Sequence, residues 1–487
     1  VADDELGRLV DPGSIEAREP AAEAEAGSAA SPATRSERAA AYLRTSWPWI
    51  VAVAIIIAVS AILRFWELGK QSMWFDELFS ANATAYGPQI AIKITASDTN
   101  PPLYYIIQSF FSMAFGREEW AMRLLPALVG VLATGVMYLA GRRLFDRPTG
   151  AVAAGLFAVS TIAIQYAQEA RMYSMLMLFA ALVLWLFALL VEKPTITRAV
   201  LLGIVLAAMA YTHVYGYMAA PMLLIPVLLL PRLRKRIGPH IAVTYVVTGL
   251  LFLPWLFVIP SQIGLVQTQV AGGQWWMKAP VDIGGKIVAS FSAFSPGQDA
   301  LSAAIFMALL LVGFAVRTST SNGLADTSWQ GSSAEMPWQD SFRAMFRSFS
   351  RRGEVGRPAE IGSGTSLADS GVVSESDILW VLLTLSLLPI FVGLLLSKYV
   401  TPIATTRNAL VSLPAAYILA VRGGFKLWKP VGILAFAGLL VLGVSQLPSF
   451  YAQTDKGAWR QAAEMVTDQP QTGVLTEDWE SAFNMAA

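Results

Sequence analysis

The chain has no cysteine, and only two histidines, His213 and His240, in 487 residues. The first absence excludes disulfides, thiolate metal sites and a cysteine nucleophile together, and the second excludes a histidine-rich metal centre. Charge is scarce as well: Asp, Glu, Lys and Arg make up 14% of the residues and nearly cancel, to a formal net charge of +1. No Lys/Arg block is long enough to follow a phosphate backbone, so nucleic acid is not an expected partner. Also lacking are an internal repeat and a glycine-rich phosphate loop after a strand, so no nucleotide-sugar domain is visible. Residues 1–44 have neither the basic start nor the apolar core of a signal peptide.

Apolar surface, by contrast, is abundant. The chain is 55% hydrophobic with a mean hydropathy of +0.53, more than a soluble core of this size could hide. Apolar runs suited to about 30 Å of hydrocarbon occur at 47–65, 124–141, 149–166, 173–191, 199–213, 215–230, 240–260, 300–316, 378–396, 409–421 and 430–447. The expected fold class is an all-α integral membrane protein with about eleven transmembrane helices. Two amphipathic stretches, 77–95 and 102–115, fall in the long loop after the first span and are expected to lie along the interface.

Arginine and lysine then orient the chain. Arg38 and Arg44, Arg142 and Arg143, Lys193 and Arg198, Arg232 to Arg236, Arg317, and Arg422 to Lys429 all fall on one side if the spans simply alternate. The positive-inside rule makes that side cytoplasmic. The expectation is a multi-pass protein of the plasma (inner) membrane with its amino terminus inside and its carboxyl terminus outside. Residues 1–44, rich in Ala, Glu, Ser and Pro, read as a disordered cytoplasmic tail, and the first span as an uncleaved anchor. Residues 45–447 form the membrane domain, with a disordered cytoplasmic loop at 318–376. Residues 448–487 are a short outer tail, possible as the start of a soluble domain.

That topology gathers the unusual polar residues on the outer face. Asp76 and Glu77, in Trp74-Phe75-Asp76-Glu77, are two carboxylates pressed against an interface by aromatic neighbours. They could simply open a helix, with Asp76 as its N-cap. Alternatively, desolvation raises their pKa toward the range of a general base, which an inverting glycosyl transfer needs for the acceptor hydroxyl. In Asn100-Pro101-Pro102-Leu103-Tyr104-Tyr105 the prolines extend the backbone and then start a helix. Gln168-Glu169-Ala170-Arg171-Met172-Tyr173-Ser174 places ionisable groups at membrane level, where they are costly. Glu169 and Arg171 could pair with each other; otherwise Arg171 could hold a phosphate and Glu169 a sugar hydroxyl. Lys398 and Arg407 break the positive-inside bias and either snorkel to lipid headgroups or clamp a phosphate. Trp275 and Trp276 read as belt anchors or as a stacking surface for a sugar or isoprenoid. His213, between Tyr211 and Tyr215, reads first as a satisfied interfacial histidine.

The ordered set Trp74-Phe75-Asp76-Glu77, Asn100-Pro101-Pro102-Leu103-Tyr104-Tyr105, Arg123-Leu124-Leu125-Pro126-Ala127 with Gly141-Arg142-Arg143-Leu144-Phe145, and Gln168 to Ser174 resembles the polyprenol-phosphate-sugar-dependent glycosyltransferases of the GT-C superfold. Within them it is most similar to the family 39 protein mannosyltransferase group and the aminoarabinose transferases. The resemblance covers about residues 45–450. It implies a GT-C catalytic domain and inverting transfer of a sugar from a polyprenyl-phosphate donor, at the outer face of the membrane. The acceptor would be a protein, lipid or polysaccharide, and membrane lipid a further partner. Asp76 would be the base with Glu77 beside it. Asn100, Tyr104, Glu169, Arg171, Tyr173 and His213 would surround the donor, with Lys398 or Arg407 on its phosphate. Some proteins of that fold need a divalent metal; Asp76, Glu77 and Glu169 offer oxygen ligands to a Mg or Mn ion, and no essential cofactor is expected. The competing expectation is a lipid or lipid-linked-sugar flippase without transferase activity. Such transporters place broken helices and ionisable groups near mid-membrane, often in paired repeats, and this chain has neither.

Overall fold

The computed structural model describes residues 35–271, 282–315, 367–368, 370–399, 403–453, 456 and 460. The helix bundle lies within Pro48–Ala487. Among the described residues every regular element is a helix, as the hydropathy predicts. The protein is a multi-pass integral membrane protein. Among the described residues, seven helices are long and apolar enough to cross a membrane: Ser46–Phe65, Glu119–Leu144, Tyr173–Glu192, Pro231–Leu256, Glu375–Tyr399, Asn408–Lys426 and Lys429–Ala452. The remaining four expected runs are shorter or broken. The run at 149–166 divides into Arg147–Ala158 and Thr161–Gln165, and the run at 215–230 into pieces around Pro221 and Pro226, where proline removes a ladder hydrogen bond.

In chain order, α1 is Arg35–Phe65, α2 Phe75–Ala83, α3 Pro88–Ala96, α4 Leu103–Phe115, α5 Glu119–Leu144, α6 Arg147–Ala158, α7 Thr161–Gln165 and α8 Tyr173–Glu192. The amphipathic stretches of the first loop become three short helices. The chain breaks at Gly87, whose φ of 87° suits glycine, between α2 and α3. It breaks again at Asn100-Pro101-Pro102 before α4, where the Leu103 N–H donates to Tyr211 O at 3.0 Å and so ties α4 to the helix Ile196–Ala210.

The core lies between α5, α6, α8 and Leu413–Lys426, where Tyr417, Phe157 and Leu176 are fully buried. α5 and α6 approach backbone to backbone: a Cβ on Gly141 would stand 2.7 Å from the Gly150 Cα. Nearby, the basic residues of the sequence pattern converge on one end of the bundle. Arg143 pairs with Glu192 (3.4 Å), Arg422 with Asp146 (3.2 Å) and Glu375 (2.7 Å), and Arg236 caps Glu192 O (2.7 Å). Leu367, from the end of the expected disordered loop, packs here and donates its N–H to Arg143 O. α8 begins at Tyr173 and ends at Glu192, and 20 residues of helix span about 30 Å. The Tyr173 end is therefore far from this basic end.

Candidate active site

The residues at the Tyr173 end come from stretches far apart in sequence: α2, α4, the start of α5, the turn 166–172, His213, the loop leading to Asn408, and Lys456. α2 begins at Phe75, and its N-cap is Trp74. Asp76 is thus not the N-cap but a first-turn residue, where a negative charge faces the positive helix end.

Glu77 is fully buried and saturated. Arg123 donates Nε to Oε1 at 2.7 Å and Nη2 to Oε2 at 2.9 Å; the Ala170 N–H donates to Oε1 at 2.9 Å; Lys456 Nζ lies 3.0 Å from Oε2. Burial alone would push this carboxyl up, but Arg123 and Lys456, with the Arg123 and Ala170 hydrogen bonds, outweigh it and hold it at about 2. That reverses the direction expected for Glu77 from its interfacial setting: two cations and a backbone N–H stabilise the charged form more than desolvation opposes it. Arg123 spends its other donors on Leu68 O, Gln71 O and Ser72 O, so it also fixes the loop that feeds α2.

Asp76, the adjacent residue, is different. Its side chain is 18% exposed, and Oδ2 accepts from Arg407 Nη1 at 2.7 Å. The Arg407 guanidinium in turn lies 5.6 Å from the centre of the Trp74 ring. Asp76 Oδ1 accepts no hydrogen bond among the described residues.

Arg171 lies beneath them, buried. Its Nη1 donates to Asp76 O and to the Tyr105 hydroxyl, both at 3.1 Å, and its Nε has no partner. It does not pair with Glu169; between those two residues the contact is backbone, the Arg171 N–H to Glu169 O at 2.7 Å. Among the described residues Arg171 has no carboxylate within ion-pair distance. Glu169 is also buried; Oε1 accepts a 3.4 Å bond from Gln165, and Oε2 has no partner. Burial pushes its carboxyl up to about 7, against the lowering pull of Lys456.

Aromatic rings line the cluster. Tyr166 meets Tyr173 edge to face at 4.8 Å, and Tyr173 stands 5.6 Å from His213. His213 is the N-cap of Val214–Ala219, its Nδ1 accepting the Tyr215 N–H at 3.1 Å. Burial, with Arg171 and Arg407 nearby, lowers its pKa to about 3, so the ring is neutral. Tyr104 is buried with an unpartnered hydroxyl, while it is the next residue, Tyr105, that touches Arg171. Asn100 bonds Asp98 at 2.9 Å, and Lys398 is exposed over the Tyr399 ring; neither contacts the cluster. Trp275 and Trp276 lie outside the described residues.

Four contributors escaped the sequence reading: Arg123, Tyr105, Tyr166 and Lys456. Arg123 had a usable signal, a charge directly abutting the apolar run 124–141. Lys456 had none, because nothing in sequence ties it to Glu77. For a metal, the fit is poor. Glu77 has no free oxygen, and no three His, Asp or Glu side chains among the described residues group closely enough to hold an ion.

Residues 99–257 match the family described as dolichyl-phosphate-mannose-protein mannosyltransferase. ArnT from Cupriavidus metallidurans bound to undecaprenyl phosphate is similar in structure at a TM-score of 0.51 and 14% identity, over 90% of this chain and 85% of that one. The chain has the GT-C fold and is similar to family 39 glycosyltransferases. Other likenesses are more partial. YkcB of Bacillus subtilis (strain 168), provisionally named a mannosyltransferase, is 30% identical over 93 residues, 19% of this chain and 13% of that protein. The Archaeoglobus fulgidus oligosaccharyltransferase in complex with zinc and sulfate has a TM-score of 0.47 at 16% identity, and this chain spans 56% of it.

Proposed function

We propose that this GT-C protein is an inverting glycosyltransferase that moves a sugar from a polyprenyl-phosphate donor to an acceptor hydroxyl at the extracytoplasmic face. The observation that carries the reading is the pairing of opposites at one point: Asp76, with a free carboxylate oxygen, above Arg171, a buried guanidinium with no carboxylate partner. A buried unpaired cation is costly, and a phosphate is the anion that its planar donors fit best. The likeness to the undecaprenyl-phosphate-bound ArnT fold supports the same class of donor.

In this mechanism the donor phosphate lies against Arg171 and Arg407, and the sugar against Glu169, Tyr104, Tyr173 and His213. The acceptor oxygen attacks the anomeric carbon from the side opposite the phosphate. The new carbon–oxygen bond forms as the bond to phosphate breaks, and polyprenyl phosphate leaves with the electron pair. Asp76 takes the acceptor proton. The guanidinium groups meet the charge that develops on the leaving phosphate. Glu77 has no oxygen left for chemistry; it holds the Asp76 helix in place.

The test is sugar transfer in proteoliposomes with radiolabelled polyprenyl-phosphate sugars, wild type against D76N. Labelled acceptor from the wild type and none from a folded D76N protein is the expected result. Translocation of the lipid without transfer, from every donor tried, would overturn the enzyme reading in favour of a flippase.

A further inference from the structure

We propose that Lys456 is a positioning residue of this site: a cation that latches the Asp76 helix to the turn carrying Arg171. The inference rests on the glycosyltransferase reading for its effect on rate, but its geometry stands apart from it. Lys456 Nζ is 3.0 Å from Glu77 Oε2, on α2, and 3.4 Å from Gln168 O, in the turn. Those two segments already share two links, the Ala170 N–H to Glu77 Oε1 and the Arg171 side chain to Asp76 O. Only the first of these holds the turn by its backbone, and the second hangs on a long side chain. Lys456, reaching Gln168 O from the other Glu77 oxygen, adds a second backbone point and so restrains the orientation of the turn. That orientation sets where Arg171 stands relative to Asp76.

Two further observations separate this role from simple charge balance. Arg123 already meets both Glu77 oxygens in a two-point ion pair, so Lys456 is a second cation on a carboxylate that is already paired. Arg460, four residues on, is anchored independently, to Glu119 at 2.7 Å, to Gly69 O at 3.0 Å and through its N–H to Ser72 Oγ at 3.3 Å. Loss of the Lys456 ammonium therefore removes the latch without releasing Arg460 from the first loop.

The absence of cysteine allows a clean experiment, because Lys456→Cys creates the one thiol in the chain. The purified full chain is alkylated either with bromoethylamine, which rebuilds an ammonium of nearly lysine length, or with iodoacetamide, which leaves a neutral side chain. Transfer is measured in proteoliposomes, and amide hydrogen exchange is followed over 166–174. The unmodified and neutral forms are expected to lose transfer by roughly 10–100-fold, chiefly in kcat, and to exchange faster in the turn. The aminoethylated form should recover both. Equal transfer and equal exchange in the two alkylated forms would overturn the latch. If the wild type transfers no sugar, the glycosyltransferase reading falls, and the exchange comparison alone decides the latch.

Discussion

Glu77 and Arg123 meet in a two-point ion pair, 2.7 Å and 2.9 Å, in which neither side chain is more than 2% exposed. The pair joins α2 to the second turn of α5, a long and largely buried span. A neutral replacement of one partner leaves the other charge buried, which costs about 3–5 kcal/mol. E77Q should therefore lower the thermal midpoint in detergent sharply and reduce the folded yield.

Asp76, one residue away, has the opposite balance. It is partly exposed, and Asn keeps an acceptor for Arg407. D76N should melt near the wild type yet lose transfer by roughly 10²–10⁴-fold, the usual range for a general base. A D76N protein as unstable as E77Q would place Asp76 in the framework instead.

Arg171 tests the phosphate. Lysine keeps its charge but not its fork of planar donors. R171K should weaken the donor by about 10–100-fold, as expected for lost hydrogen bonds to a charged group, seen as a raised KM for polyprenyl-phosphate sugar. An unchanged donor KM would put the phosphate elsewhere.

Glu169 gives a pH dependence with a definite sign. Its carboxyl titrates at about 7 in the folded chain, raised by burial from an ordinary 4.5. The folded state then binds the proton more tightly than the unfolded one. The stability this supplies is full below about 4.5 and is lost as pH rises through about 7. Melting between pH 4.5 and 8 should therefore show a downward slope that E169Q removes. Glu77 has the reverse sign: its contribution is full above 4.5 and is lost as pH falls through about 2.

The sequence carried the architecture well, for a physical reason. Hydrocarbon forces long apolar runs, and α1, α5, α8 and Glu375–Tyr399 lie where hydropathy puts them. It failed where proline or a polar turn interrupts a run, so that 149–166 appeared to be one crossing rather than α6 and α7. At the site, hydropathy and charge pattern singled out Asp76, Glu169, Arg171 and Arg407, because charges at membrane level are rare. They could not divide labour between Asp76 and Glu77. That division depends on Arg123 and Lys456, one 46 residues away in sequence and the other 379, and distance in sequence hides such partners. Tyr105 and Tyr104 show the same limit at finer scale, since the choice between them is one of helix phase.

Gly141 and Gly150 supply the last consequence. Where these residues touch, α5 and α6 are seated on each other with no side chain between them, and the joint answers only to volume. At its opposite end α5 is fastened by Arg123, and that joint answers only to charge. One rod thus has a mechanical hinge-pin at one tip and an electrostatic clasp at the other. Adding a methyl group would jam the first and leave the second untouched; neutralising Glu77 would open the second and leave the first shut. Substitutions at the two tips are therefore separable, one read by volume and the other by charge.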